Sequence, residues 1–348
     1  MRTLLSPAIA EATRLTRAGR LAEATALLRG QPLGSQPLDA GTIEGEAEEV
    51  APPPPRFTFR SHKAPRPDAV TTPPGARFLH AEHAEAAGQR PYRLYIPASH
   101  RGGAAPLLVM LHGCTQSPED FAAGTRMNEL AEEHGLLVAY PGQPPSANPQ
   151  KCWNWFKPGD QARDQGEPAL IAGITRQVLR AHAIDPARIF IAGLSAGGAA
   201  AAIMGQAYPD LFAAVGVHSG LACGAARDVP SAFAAMGQGA VASKGRAIRT
   251  IVFHADRDTT VHPRNGEAVI AQSAAAGLRM EVERGRAGAG HGWQRSIHRD
   301  ETGRAMLEHW LVEGGGHAWS GGSPAGSYTD PRGPDASRAM LRFFLDGR

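Results

Sequence analysis

One serine of this sequence lies in a pattern that is typical of a nucleophile. Ser195 is the centre of the run 193–197, which reads Gly-Leu-Ser-Ala-Gly. The mostly apolar run 188–192 before it suits a buried strand, and the alanine-rich run 198–204 after it suits a helix. A serine on such a sharp strand-to-helix turn points its hydroxyl out over the end of the sheet. The pattern predicts a nucleophile elbow, and an ordinary Gly/Ser turn of a βαβ unit is the alternative.

A serine hydroxyl becomes a good nucleophile only when a base takes its proton, and an imidazole held by a carboxylate does this near neutral pH. For a serine on such a turn, the acid and then the histidine are expected later in the chain. Asp258 follows the strand run 249–254 and lies deeper in its loop than Asp256, which is the second choice. His317 ends a Gly-Gly-Gly-His run after the last predicted strand. We therefore predict a triad of Ser195, Asp258 and His317, with an ordinary exposed loop as the alternative for the histidine.

Two backbone N–H groups are needed to stabilise the oxyanion that forms during acyl transfer. The residue after the nucleophile, Ala196, is expected to supply one, and Cys114 in the loop after the strand run 107–111 the other. Cys114 and Cys152 both border this site, and we predict a disulfide between them, with two buried thiols as the alternative. Cys223 is then a lone thiol with a packing role.

Three tryptophans lie close to these motifs in the sequence. Trp153 and Trp155 belong to the long loop 143–165, and Trp319 follows the predicted catalytic histidine. Aromatic rings often line apolar ligand pockets, so these three are predicted to contact the substrate. The alternative is that some of them are core aromatics.

The elements that must position these residues alternate between strands and helices. This alternation predicts an α/β fold with a doubly wound, mostly parallel sheet and helices on both faces. Residues 1–30 are predicted to form a helical appendage, 31–76 a linker rich in proline and glycine, and 77–348 the catalytic domain. The predicted strands are 77–81, 92–97, 107–111, 135–141, 188–192, 212–218, 249–254 and 307–312, with a hairpin from 280–283 and 293–297. The remaining elements are helices at about 118–134, 170–179 and after Asp335, and an insertion or lid at 222–246.

Composition narrows the classes of function. The chain has 348 residues, 42% of them hydrophobic, and a net charge of +3 spread along its length, which gives no argument for nucleic-acid binding. No apolar run approaches the roughly 20 residues of a membrane span, and no clustered Cys/His spacing predicts a metal or other cofactor. The N-terminal residues lack the long apolar region of a secretory signal, which favours a cytoplasmic location over an extracellular one.

The motifs together resemble the esterases of the polyhydroxybutyrate depolymerase family. The matching blocks are His112-Gly113-Cys114-Thr115-Gln116, Cys152-Trp153-Asn154-Trp155, the run 193–198, Asp258-Thr259-Thr260-Val261 and the run 316–322. The resemblance implies an α/β-hydrolase fold and a serine esterase that acts on short 3-hydroxyacyl polyesters or related carboxylic esters, without a cofactor. Feruloyl and acetylxylan esterases look similar at the same motifs and remain the alternative, and a hydrolase-like binding protein without activity is the alternative of another class.

Overall fold

The computed structural model divides the chain into two compact units, Met1–Thr58 and Phe59–Arg348. In the first unit only Glu11 and Leu15 are described; both are helical, and Leu15 is buried. The predictions of an appendage at 1–30 and a linker at 31–76 therefore lie almost entirely outside the described residues. Across the chain, the structure describes Glu11, Leu15, Val70, 72–241 and 243–346.

A ten-stranded sheet is the centre of the second unit, counted over the described residues. The strands lie side by side in the order β1-β2-β4-β3-β5-β6-β7-β10-β9-β8. Six neighbouring strands of the sheet run parallel, namely β4, β3, β5, β6, β7 and β10. The pairs β1–β2 and β9–β8 add antiparallel strands at its two edges. The predicted doubly wound, mostly parallel sheet is confirmed. The strands are β1 (Arg77–Glu85), β2 (Gly88–Ile96), β3 (Ala105–Leu111), β4 (Leu137–Pro141), β5 (Ile184–Leu194), β6 (Ala214–His218), β7 (Thr250–Ala255), β8 (Arg279–Arg286), β9 (Gly292–Arg299) and β10 (Ala305–Val312).

The helices cover both faces of this sheet, because side chains alternate along each buried strand. Leu107 and Val109 of β3 point into one apolar cluster, whereas Leu108 and Met110 point into another. Helices α3 and α4 pack in the first cluster, and α1, α2 and α7 pack in the second. The helices are α1 (Pro118–Thr125), α2 (Met127–His134), α3 (Gly166–Ala181), α4 (Ala196–Ala207), α5 (Val229–Gln238), α6 (Arg264–Ser273) and α7 (Ala336–Leu345), and the two-residue strands β11 (Trp319–Ser320) and β12 (Thr329–Asp330) pair separately.

Three helical details differ from the sequence prediction. The helix expected at 118–134 is broken in two, because Arg126 adopts φ 53°, in the left-handed region. The predicted insertion at 222–246 contains α5, whose first turn is capped by Asp228 and Ser231. Helix α6 was not predicted, because its apolar residues are few and are interrupted by polar ones.

The outermost strand on one side of the sheet is β8, and it is exposed along its whole length. Its glutamates pair with the next strand: Glu281 contacts Arg299 at 3.0 Å, and Glu283 contacts Arg295 at 3.1 Å. Charged side chains of this kind protect an open sheet edge from further pairing. No helix in the described part of the chain is long and apolar enough to cross a membrane.

Candidate active site

Ser195 lies at a tight turn between β5 and α4, and this turn requires the glycines on either side of it. Its backbone has φ 57° and ψ −119°, and its N–H donates to the backbone oxygen of His218 at 2.9 Å. A Cβ added at Gly197 would collide with the backbone oxygen of Leu111, so the loop after β3 packs directly on the turn. A non-glycine residue held at positive φ is typical of a strained functional turn.

The carboxyl ends of four parallel strands bring the predicted site residues to one edge of the sheet. β5, β6, β7 and β10 are parallel neighbours in this order. Ser195 follows β5, Asp258 lies three residues beyond β7, and His317 lies five residues beyond β10. Ligand sites of open α/β sheets lie at this edge, so the fold places all three side chains where such a site is expected.

The structure pairs Asp258 with His317. Oδ2 of Asp258 lies 2.7 Å from Nδ1 of His317, while Oδ1 accepts from the backbone N–H groups of Thr260 at 2.9 Å and Val261 at 2.8 Å. Burial opposes ionisation of this carboxyl, but hydrogen bonds from His254 and His317 outweigh it and hold the pKa of Asp258 well below its ordinary value. An ionised carboxylate at Nδ1 selects the tautomer that leaves Nε2 of His317 unprotonated, as a general base requires.

The second candidate acid, Asp256, has a different place. It is exposed, and its Oδ1 accepts from the backbone N–H of Gly314 at 2.6 Å. The backbone N–H of the next residue, Arg257, donates to Gly315 at 3.2 Å. Both contacts fix the glycine loop that carries His317, so Asp256 holds the loop and Asp258 holds the imidazole.

His218 is a residue of this site that the sequence prediction missed. Its backbone oxygen accepts from Ser195, and its Nε2 accepts from the backbone N–H of Ser320 at 2.9 Å. The ring is stacked between Phe253 and Trp319, with centroid distances of 5.7 and 4.9 Å. Burial lowers the pKa of His218 to about 3, so the ring stays a neutral acceptor. Its position at the carboxyl end of strand β6 is the one signal in the sequence that would have suggested it.

The two expected oxyanion donors lie on adjacent segments. Ala196 is the first residue of α4, so its N–H has no acceptor within the helix. The N–H groups on both sides of Cys114 are occupied: Gly113 donates to Gln116 Oε1 at 2.9 Å, and Thr115 donates to Gln150 at 2.7 Å. Among the residues that the structure describes, no acceptor is found for Cys114 N–H. Both groups are therefore available to an external acceptor.

Cys114 and Cys152 form a disulfide in the structure, 38 residues apart in the sequence. The bond ties the loop after β3 to the tryptophan-bearing loop after β4. Cys223 is a free, half-buried thiol, and burial raises its pKa to about 11. A protonated thiol of this kind has a packing role and little reactivity.

A buried carboxylate anchors the tryptophan-bearing loop. Glu167 of α3 is 4% exposed and accepts from the backbone and side-chain nitrogens of Asn154, both at 2.7 Å, and from Gln143 at 2.5 Å. Arg90 lies 3.6 Å from the same carboxylate. Burial, and next the charge of Asp160, raise the pKa of Glu167. One buried side chain of α3 thus accepts three hydrogen bonds from the loop, two from Asn154 and one from Gln143.

The structure corrects the prediction for the three tryptophans. Trp153 is 0%, Trp155 6% and Trp319 1% exposed, so they offer almost no surface to a ligand. The reason is that each indole fills the core, and two of them donate to internal acceptors. Trp153 Nε1 donates to the backbone oxygen of His112 at 3.1 Å, and Trp319 Nε1 donates to Ser337 at 3.0 Å. These rings support the site loops from behind and do not form a pocket wall.

In the described part of the chain, no group of three His, Cys, Asp or Glu side chains is arranged to hold a metal ion.

Known proteins match more than half of this chain. The family model described as esterase PHB depolymerase matches residues 90–290, more than half of the chain. Poly(3-hydroxyalkanoate) depolymerase C of Paucimonas lemoignei is 30% identical over 229 residues, which cover 61% of this chain and 55% of that protein. Feruloyl esterase B of Thermothelomyces thermophilus is 30% identical over 234 residues, which cover 61% of this chain and 78% of that one. The chain thus spans about half the length of the depolymerase.

Solved structures agree on the fold. An acetyl xylan esterase from Aspergillus awamori superimposes with a TM-score of 0.58 and 19% identity, covering 77% of this chain and 98% of that one. The order and direction of the strands, together with this likeness, identify an α/β-hydrolase fold. With that fold and a family match across most of the sheet, the chain belongs to the esterase PHB depolymerase family.

Proposed function

We propose that this protein is a serine esterase that hydrolyses carboxylic esters through an acyl-enzyme on Ser195. The observation that carries the proposal is the 2.7 Å hydrogen bond between His317 and Asp258, at the sheet edge where Ser195 lies on its turn. Family membership supports it independently. The roles of nucleophile, base and acid are assigned by position and by hydrogen bonding.

In the proposed reaction, His317 Nε2 takes the hydroxyl proton as Ser195 attacks the ester carbonyl. Asp258 stabilises the imidazolium that forms, because its carboxylate is ionised and bonded to Nδ1. The N–H groups of Cys114 and Ala196 donate to the oxyanion. His317 then protonates the alcohol as it leaves, activates a water molecule, and the acid is released as Ser195 recovers its proton.

For the substrate, we propose short-chain poly- or oligo(3-hydroxyalkanoate) esters such as polyhydroxybutyrate. The family model and the name of the depolymerase relative support this class. A feruloyl or acetylxylan ester is the second candidate, because feruloyl esterase B matches at the same identity over a larger share of its own length. Parallel assays on hydroxybutyrate oligomers, methyl ferulate and acetylated xylan oligosaccharides separate the two: the preferred class is the one with the highest kcat/KM.

The esterase proposal is tested by Ser195→Ala with a matched control, Ser99→Ala, which removes an exposed hydroxyl elsewhere. We expect Ser195→Ala to lower p-nitrophenyl butyrate turnover by several orders of magnitude and to abolish labelling by a fluorophosphonate probe, without unfolding the protein. Ser99→Ala should keep both. A folded parent protein that is neither active nor labelled would favour the non-catalytic binding protein instead.

A further inference from the structure

A cavity rich in arginine lies at the end of the sheet opposite to the candidate active site. Arg249 and Arg304 precede strands β7 and β10, whose far ends lead to Asp258 and His317. At about 3.3 Å per residue, the two ends of β7 and its flanking residues are roughly 20 Å apart. The cavity has a volume of about 210 Å³, and half of the residues that line it are arginines. They are Arg249, Arg295, Arg299, Arg304 and Arg342, beside Gly303, Ala305, Glu308, Phe343 and Asp346.

Three of these arginines have carboxylate partners. Glu308, which is fully buried, accepts from Arg295 at 2.7 and 3.0 Å and from Arg342 at 2.7 and 3.0 Å. Arg299 pairs with Glu281 outside the cavity at 3.0 Å. Arg295 also pairs with Glu283 at 3.1 Å, and Arg342 lies 3.9 Å from Asp346. Four carboxylates therefore compensate these three arginines, and the positive charges without a carboxylate partner are those of the other two.

The other two arginines, Arg249 and Arg304, have no carboxylate partner among the described residues. Arg249 is 6% exposed, and its Nε and Nη2 donate to the backbone oxygens of Ala305 at 3.2 Å and Phe343 at 2.6 Å. The guanidinium carbon lies 4.4 Å from the centre of the Phe343 ring. Among the described residues no acceptor is found for Nη1 of Arg249, so this group is available to donate to a ligand in the cavity.

The two guanidinium groups without a carboxylate partner, those of Arg249 and Arg304, line the same cavity, which is electrostatically unfavourable. Burial, and next the charge of Arg304, lower the pKa of Arg249 to about 10, although the charges of Glu308, Asp346 and Asp300 act in the opposite direction. Three of the five lining arginines share four carboxylates, whereas Arg249 and Arg304 have none within 4 Å among the described residues. Such an arrangement is stabilised when an anion enters, because a buried charge without a counter-ion is unfavourable.

We propose that this cavity is a binding site for a phosphate group, held by Arg249 and Arg304. A guanidinium group is planar and binds a tetrahedral oxyanion through two parallel N–H donors. A doubly charged ligand matches the two arginines that lack a carboxylate, whereas a single carboxylate would leave one of them uncompensated. The site is independent of the esterase proposal, because it uses none of the proposed catalytic residues.

The proposal is tested by isothermal titration calorimetry of the full chain with inorganic phosphate, phenyl phosphate and acetate, at a constant ionic strength of about 0.1 M. We expect saturable binding of one phosphate per chain and no saturable binding of acetate. If phenyl phosphate also binds, the natural ligand is a phosphate ester, and if it does not, the ligand is free phosphate. The absence of saturable binding by either phosphate compound overturns the proposal.

Two variants separate a built site from a general attraction of anions. Arg304→Gln removes an exposed guanidinium from the cavity and should weaken phosphate binding about tenfold, as loss of a charged hydrogen bond does. Arg284→Gln removes the same charge from β8, outside the cavity, and should leave the affinity unchanged. Equal weakening by both variants would mean that only net charge matters, and the proposed site would be wrong.

Discussion

The carboxylate of Asp258 is the most heavily bonded side chain of the candidate triad. Two backbone N–H groups fix one of its oxygens, and His317 donates to the other. His254, fully buried, places Nε2 at 3.5 Å from that second oxygen and at 2.8 Å from the backbone oxygen of Val261. The orientation of the proposed base therefore depends on a carboxylate that has no freedom to turn.

Asp258→Asn tests this role with little change in shape. The amide cannot stabilise the imidazolium and favours the wrong tautomer of His317, so we expect kcat on an activated ester to fall by about 10⁴. The measurement is steady-state kinetics at neutral pH.

Asp256→Asn is the matched control, because it changes the neighbouring acid, which contacts Gly314 and not the imidazole. This substitution should lower kcat by no more than about tenfold, which is the loss expected from one hydrogen bond. Equal losses in the two variants would contradict the assignment of Asp258 as the triad acid.

Prediction from the sequence works best for the residues that local pattern defines. Ser195 is flanked by glycines that the turn requires, and Asp258 and His317 each follow a strongly apolar strand. The sequence therefore predicted that these three residues lie at the same edge of the sheet. The role of His218 was not, because it depends on contacts with Ser195 and Ser320 that are distant in the sequence. The tryptophans were misplaced for the same reason: an indole suits a pocket wall and a core equally well.

The Cys114–Cys152 disulfide joins two loops at the scale of the elements. Closing a loop of 38 residues restricts the unfolded chain, and the expected contribution to the free energy of unfolding is about 3–4 kcal/mol. The double variant Cys114→Ala, Cys152→Ala should be destabilised by this order in urea unfolding. Cys223→Ala is the control and should change stability much less, because it is not bonded.

Activity of the same double variant reports on the site. The bond holds the proposed oxyanion donor against the tryptophan-bearing loop, so kcat should fall together with stability. A variant of unchanged stability and unchanged kcat would show that packing alone fixes these loops.

Glu167 is the second anchor of that loop. Glu167→Gln replaces one of the two accepting oxygens by an NH₂ group, whose N–H donors then face N–H donors of the loop. Leaving these buried groups unpaired should lower the free energy of unfolding by about 1–3 kcal/mol, measured by urea denaturation. Glu133→Gln, at an exposed ion pair with Arg338, should lower it much less, because water and salt screen an exposed pair. If the exposed substitution is as harmful as the buried one, the anchoring role is wrong.

Elements with a clear local signal were predicted, and elements set by distant packing were not. The apolar runs of β3, β5, β7 and β10 and the Asp335 cap of α7 gave correct positions. No glycine or proline stands at the break itself, and Gly124, two residues before it, lies inside α1. The Arg126 guanidinium donates to the backbone oxygen of Gly321 at 3.1 Å, far along the chain. The start of α5 carried a usable signal, since Asp228 and Ser231 form a capping box.

At the scale of the whole molecule, buried neutral histidines make stability depend on pH. Burial lowers the pKa of His112 to about 4 and that of His218 to about 3. In the unfolded chain both titrate near their ordinary value of about 6.5, so below that pH the unfolded state binds more protons. Stability should therefore fall as the pH drops from about 6.5 towards 4, by at most about 1.4 kcal/mol per pH unit for each histidine.

Urea unfolding at several pH values in this range measures the effect. His218→Gln keeps an acceptor for Ser320 and removes one titrating group, so its stability should decline less steeply than that of the parent protein. His80→Gln, at a side chain that is 72% exposed, should follow the parent. Parallel curves for His218→Gln and the parent would show that this ring does not contribute.

The charged outer strand β8 bears on how these molecules behave in concentrated solution. In the part of the chain that is described, β8 has no neighbouring strand on its outer side. Its glutamates pair with arginines of β9, whereas its own arginines at 279, 284 and 286 are exposed. Another copy that approached this border would meet like charges before any ladder formed. Crowding at low ionic strength should leave the molecules dispersed, and added salt should be what first allows them to associate.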